Sequence, residues 1–318
     1  MLDLTTVRDA RVLLRPFLPE TRLVRAFSLS RKAGECVWLK LESELPTGSF
    51  KPRGALYALL VNQQRRKVNE VVASSTGNHG AAVAYAAREL GVRARIYLPR
   101  NANPVKREKI AALGANIIDV DGADLNAAFQ EARSYSEKAG VYFLNDATDP
   151  DLPVGPATIS SEIREQLPEC DTIVVPIGDT ALIRGVAAAA KQLWPAMKIV
   201  GVQAEQAPAY FRSWEQGHPV CTETCDTIAD GLATRMPDAA NVAVIRELVD
   251  EVILVSDQQM RSAIAHLVFE EHVIAEPAGV ATTAAVLHSK TSFGKNVVLL
   301  MTGANVAHDV LRSAICAR

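Results

Sequence analysis

The feature that most constrains this chain is a rhythm. Short runs rich in β-branched residues alternate with alanine-rich stretches of helical length, from about residue 71 to residue 301. Segments 71–75, 95–98, 116–120 and 141–144 read as strands, with helices at 78–90, 104–113 and 125–139 between them. The pattern resumes with strands at 172–176, 198–203, 251–255 and 296–301, and with helices at 181–193 and 258–271. Strand, helix, strand in this order predicts an α/β fold whose mainly parallel sheets are covered on both faces. Two sheets are expected rather than one. Strands 71–144 form a compact unit, and the turn-rich stretch from Asn145 to Pro156 reads as the crossing to a second one.

Composition supports a large buried core. The chain has 318 residues and 48% hydrophobic content, enough to bury about 75% of its unfolded surface. A net charge of -2 with dispersed lysines and arginines argues against a nucleic-acid partner. Five cysteines at 36, 170, 221, 225 and 316 form no C-x-x-C pair, which favours free thiols over a zinc site. The charged N-terminal segment lacks the apolar core of a signal peptide, and no apolar run reaches membrane-spanning length. A cytoplasmic protein with no membrane partner is expected.

In parallel sheets, ligands bind beyond the carboxyl ends of strands, where helices begin. Thr47-Gly-Ser-Phe-Lys-Pro-Arg-Gly54 precedes a helical run, so Lys51 is placed at a helix start. The positive field there favours the neutral amine that can condense with an aldehyde. A solvated surface lysine is the ordinary alternative. Ser74-Ser-Thr-Gly-Asn-His-Gly80 joins a strand to a helix and can surround a carboxylate with donors, or simply cap the helix. Pro176-Ile-Gly-Asp-Thr-Ala-Leu182 can offer backbone N–H groups to a phosphate. Thr302, after the last strand, can donate or accept a hydrogen bond.

Taken in order, these segments resemble the tryptophan-synthase-β-like (fold type II) enzymes that use pyridoxal 5'-phosphate, and most closely the serine/threonine dehydratases and serine racemase. Ser49-Phe-Lys-Pro-Arg-Gly-Ala55 is similar to that family's lysine motif, and Ser75-Thr-Gly-Asn-His-Gly80 to its carboxylate loop. Thr227 to Ala233 and Glu276-Pro-Ala-Gly279 are further dehydratase-like signatures. The resemblance spans about Pro46 to Asn305. It implies two three-layer α/β domains with the cofactor in the cleft between them. The large one would comprise 1–69 and 150–318, the small one 70–149. It implies a cofactor link on Lys51, which would then shuttle protons. Phe50 would pack beside the pyridine ring, Asn78 would bond its phenolic oxygen, Gly231 would lie near it, and Thr302 would face its nitrogen. Gly178, Asp179, Thr180, Ala181 and Leu182 would hold the phosphate. Ser75, Thr76, Gly77 and His79 would line the substrate carboxylate site. The implied reaction removes water from L-threonine or L-serine, giving a 2-oxo acid and ammonia. The implied assembly is a homodimer or homotetramer.

Three departures qualify that likeness. The family's phosphate loop is a run of glycines, whereas Asp179 here brings a carboxylate near the phosphate, repulsive unless its side chain turns outward. Thr180 can compensate with a hydroxyl donor. Gln203 stands where some relatives use a glutamate to hold a divalent cation, so no metal is expected. Thr76 replaces the serine that racemases use as a second acid/base, which ranks elimination above racemisation. The chain ends soon after the catalytic region, so no regulatory domain is expected. Threonine synthase is the closest enzymatic rival. A dehydratase for a modified substrate such as 3-hydroxyaspartate stays open, as does an amino-acid-binding protein that kept the fold. A Rossmann nucleotide binder is disfavoured because no G-x-G-x-x-G follows the first strand.

Overall fold

The computed structural model describes residues 2–75, 77–100, 104–121 and 125–316. Ten strands follow in chain order: β1 Leu23–Arg25, β2 Cys36–Lys40, β3 Glu70–Ser74, β4 Arg93–Pro99, β5 Asn116–Val120, β6 Val141–Phe143, β7 Thr172–Pro176, β8 Lys198–Ala204, β9 Glu251–Val255 and β10 Asn296–Leu300. They divide between two sheets. The larger runs β1-β2-β10-β7-β8-β9, the smaller β5-β4-β3-β6. Every pairing is parallel except β1 with β2. The two-sheet, mainly parallel architecture expected from the rhythm is therefore the one observed.

Why the strands are apolar along their whole length is visible in β10. Val297 and Leu299 pack into one core, while Val298 and Leu300 pack into another on the opposite face. Successive side chains point to opposite faces, and helices cover both, so Val297 to Leu300 are apolar without alternation. The smaller sheet is likewise covered twice. Val71, Ala73 and Ile96 meet the helices Lys51–Arg65 and Asn78–Glu89. Val72, Tyr97 and Val120 meet Ala128 and Ala132.

Some boundaries differ from expectation. The helix expected over 125–139 stops at Tyr135, and a turn leads into β6. The helix expected over 258–271 is α-helical from Asp257 to His266 and then widens to a π-turn, Leu267–Glu271. The turn-rich stretch ending at Pro156 already contains the first residues of a helix, Val154–Gln166. Proline is tolerated there because first-turn N–H groups have no intrahelical partner.

The helix Lys51–Arg65 is pinned at its start. Ser49 bridges Gly303, and Phe50 N–H donates to Thr302 O at 3.0 Å. One turn further in, Gly155 of the helix Val154–Gln166 lies against it. A methyl added to Gly155 would stand 2.1 Å from Arg53 O, so only glycine permits this approach. Buried charges then lock the contact. Arg53 donates to Glu42 (2.7 and 2.9 Å), to Glu162 (2.6 and 3.0 Å) and to Thr158 (3.0 Å). Lys40 donates to Glu162 (2.5 Å), Thr21 O (2.8 Å) and Gln166 (3.0 Å).

Candidate active site

The loops leaving β3, β7 and β10 converge on one cavity of about 200 Å³. All are at carboxyl ends of parallel strands, two from the larger sheet and one from the smaller. The walls include Phe50, Lys51, Ser75, Gly77, Asn78 and His79 from one side. Gly178, Asp179, Thr180, Ala181 and Leu182 form another side, and Gly231 and Thr302 complete it. Each residue singled out from the sequence thus lines this space, save Thr76, which lies outside the described residues.

Lys51 opens its helix, as expected, but its amine is not alone. It donates to Asp146 Oδ2 at 2.5 Å. A carboxylate not expected from the sequence therefore stands beside the helix-terminus field. Burial by itself would push the Asp146 carboxyl up. The charges of Lys51 and His79 and the hydrogen bond from Lys51 outweigh burial and hold it below the usual carboxylate range.

His79 is also placed differently from expectation. It is 4% exposed, and its Nε2 sits 2.9 Å from Leu144 O. Its other nitrogen, Nδ1, faces Asp146 Oδ1 at 3.7 Å. The imidazole edge thus serves Asp146, although the residue still lines the cavity.

Asn78 is held at both ends of its amide. It donates to Glu276 Oε1 and accepts from Asn305 Nδ2, each at 2.7 Å. One N–H of the amide stays free of this pair. Asn305 in turn donates to Thr47 O at 2.8 Å and is contacted by Lys109. The chain ties the loop before Lys51 to the loop after β3.

The loop after β7 approaches Gly231 closely. A methyl added to Gly178 would stand 2.2 Å from Gly231 O. Among the described residues, no group accepts from the backbone N–H groups of Gly178 to Leu182. They open the helix Ala181–Leu193, where the dipole favours an anion. Thr180 adopts a left-handed φ of 70°, a conformation better suited to glycine, and its hydroxyl oxygen accepts from Arg184 Nε at 3.1 Å. Asp179 does not turn outward. It accepts from Thr234 Oγ1 at 3.1 Å, and burial, then the nearby Asp146, push its carboxyl up.

Gln203, the position considered for a cation, is fully buried and accepts from Phe211 N–H at 2.8 Å.

The sequence reading missed Asp146, Thr234 and Arg184, and gave no role to Glu276 or Asn305. For Asp146 a signal existed. It follows the carboxyl end of β6, the fourth strand of the smaller sheet, and the loop rule applies there as it does to β3.

A lysine at a helix start, uncommitted N–H groups across a cavity, and loops from two parallel sheets define a cofactor-dependent α/β enzyme. The chain matches the pyridoxal-phosphate dependent enzyme family over residues 14–303 and belongs to it. It is 35% identical to an L-threonine ammonia-lyase of Thermotoga maritima over 96% of this chain and 76% of that one. It is 32% identical to a catabolic L-threonine dehydratase of Staphylococcus aureus over 96% and 90%. Among solved structures it is similar to maize serine racemase, with a TM-score of 0.92 and 30% identity, covering 99% of this chain and 97% of that one. The residues present fit the family's cofactor. The free N–H groups of Gly178 to Leu182 suit its phosphate, the tight Gly178–Gly231 approach leaves the loop without a β-carbon there, and Lys51 supplies an amine for its aldehyde.

Proposed function

We propose that the chain is a pyridoxal-phosphate dependent lyase that deaminates L-threonine or L-serine by eliminating water, yielding a 2-oxo acid and ammonia. The observation that carries this reading is the placement of the Lys51 amine across one cavity from the uncommitted N–H groups of Gly178 to Leu182. The names of the relatives support the same substrate class.

When bound, the cofactor supplies an electron sink for the substrate's α-carbon. The chain's residues do the rest. Lys51 would hold the cofactor through Nζ and, when free, would accept the α-proton at that same atom. Gly178 to Leu182 hold the phosphate through backbone N–H groups. Ser75 and Gly77 would flank the substrate carboxylate. Phe50 and Gly231 would flank the cofactor ring, Asn78 would offer an N–H to its phenolic oxygen, and Thr302 would offer a neutral hydroxyl to its nitrogen. A neutral partner tempers the sink and suits elimination over transamination.

The chain is proposed to divide into a large unit, 1–69 with 150–318, and a small unit, 70–149; the four-stranded sheet over Glu70 to Phe143 supports this division. A cytoplasmic homodimer or homotetramer completes the reading. Among the described residues no helix is long and apolar enough to cross a membrane.

Incubating the holoenzyme with L-serine, L-threonine, 3-hydroxyaspartate and O-phosphohomoserine tests the proposal. Release of 2-oxo acid from serine or threonine, abolished in Lys51→Ala, is expected. Phosphate release from O-phosphohomoserine without oxo acid from the others would make it a threonine synthase instead.

A further inference from the structure

Asp146 belongs to none of the motifs that suggest the reaction, yet it touches the reacting nitrogen. Its Oδ2 accepts from Lys51 Nζ at 2.5 Å. Its Oδ1 is buried and has no hydrogen-bond partner among the described residues, nor has the nitrogen facing it, His79 Nδ1, 3.7 Å away.

The tautomer of His79 follows from its other edge. Leu144 O can only accept, so Nε2 carries the proton at 2.9 Å. A singly protonated ring would then aim a bare Nδ1 lone pair at a carboxylate oxygen. A proton at Nδ1 turns that repulsion into an attraction. The arrangement Lys51–Asp146–His79 therefore places one carboxylate between two nitrogens, each able to hold a proton against it.

The other charged groups facing Asp146 are few. Arg184, from the helix Ala181–Leu193, adds positive charge and donates to Ala147 O at 3.2 Å. Asp179, in the loop before that helix, adds an opposing carboxyl. Arg184 is committed to Ala147 O and Thr180, which leaves Lys51 as the cation in contact with Asp146.

We infer that Asp146 is a catalytic residue that strengthens Lys51 as a base, with His79 as the residue that positions and charges it. The inference rests on the proposed role of Lys51. When Lys51 takes the α-proton, a C–H bond breaks, an N–H bond forms and the electron pair stays with carbon. In the structure the Lys51 amine lies 2.5 Å from the Asp146 carboxylate, which would meet the ammonium as it forms. Charge develops where an opposite charge is held, with no rearrangement needed.

Two readouts test this, one independent of turnover. In the apoprotein, the pH at which Lys51 becomes reactive toward an amine-directed acylating reagent is followed by peptide mass spectrometry. Asp146→Asn is expected to lower that pH by about one unit, because a nearby carboxylate favours the protonated amine. In the holoenzyme, Asp146→Asn is expected to lower kcat about 10- to 100-fold with little change in KM, and to raise the α-deuterium isotope effect. Asp146→Glu should recover most of both. His79→Asn should lower kcat by about 3- to 10-fold and shift the acid limb of its pH profile. An unchanged acylation profile in Asp146→Asn would overturn the inference. So would a loss in Asp146→Glu as large as in Asp146→Asn, since that marks a role in holding the loop. If wild-type protein released no oxo acid, the proposed function would fail, while the acylation profile would still decide the Lys51–Asp146 coupling.

Discussion

Lys51 and Arg53 stand two residues apart at the start of one helix, and each faces carboxylates, but to opposite ends. Arg53 is 3% exposed and spends its guanidinium on Glu42, Glu162 and Thr158. Glu162 is shared with Lys40, and Glu42 with Thr21. Both carboxylate oxygens of each glutamate are engaged. Around Lys51 the contacts are incomplete: among the described residues, Asp146 Oδ1 and His79 Nδ1 are buried without hydrogen bonds, and Asp179 bonds Thr234. A saturated cluster of buried charges makes a frame, because any change strands a charge. An unsaturated one can change its protonation cheaply, which is what chemistry at Lys51 requires. The helix carries the rigidity of the first cluster to the second.

The sharpest way to break this comparison is to remove the frame. Arg53→Met strands Glu42 and Glu162 and is expected to cost about 3–5 kcal/mol of stability in denaturant unfolding. A loss under about 1 kcal/mol would mean the cluster is not the frame. The frame also fixes an acid limit. Burial would push the Glu162 carboxyl up, but Arg53 and Lys40 outweigh it and hold it below its ordinary value of 4.5. Its stabilisation is thus complete above pH 4.5 and disappears as pH falls through the folded value.

Asp179 in the site cluster should respond in the opposite sense. The Asp179 carboxyl is raised from 3.8, so its ionisation costs stability, and that cost grows as pH rises above 3.8. Asp179→Asn is therefore expected to raise the Tm of the apoprotein at neutral pH by about 2–4 °C, an advantage that vanishes in acid. A lower Tm at neutral pH would place Asp179 with the frame.

A surface pair calibrates both. Arg22 bonds Glu44 with side chains 68% and 36% exposed. Arg22→Ala is expected to leave the midpoint of denaturant unfolding essentially unmoved. A clear loss would show that exposure does not separate these clusters.

How much of this was legible beforehand depends on where each residue sits. The loops after β3, β7 and β10 follow apolar strands buried on both faces, so their ends stood out. Asn78, Gly178 and Thr302 were found that way, whereas Lys51 was placed by the helical run that follows it. β2 was not, because Lys40 interrupts its apolar run, and only the fold supplies the Glu162 that lets a lysine be buried there. β1 has three residues, too few to show a period. Asp146 was hidden by its company: Asn145, Asp149, Pro150, Asp151 and Pro153 surround it, and acidic residues are ordinary in turns. Its contact with Lys51 spans 95 positions, a pairing no local pattern encodes. The turn of Asp179 toward Thr234, 55 positions away, was hidden for the same reason.

The central claim is a covalent one, and reduction tests it directly. Protein loaded with pyridoxal phosphate, treated with borohydride and digested, should carry the pyridoxyl mass on the peptide containing Lys51, and Lys51→Ala should carry none. The mass on another lysine in the wild type, or no labelled peptide at all, would contradict the account.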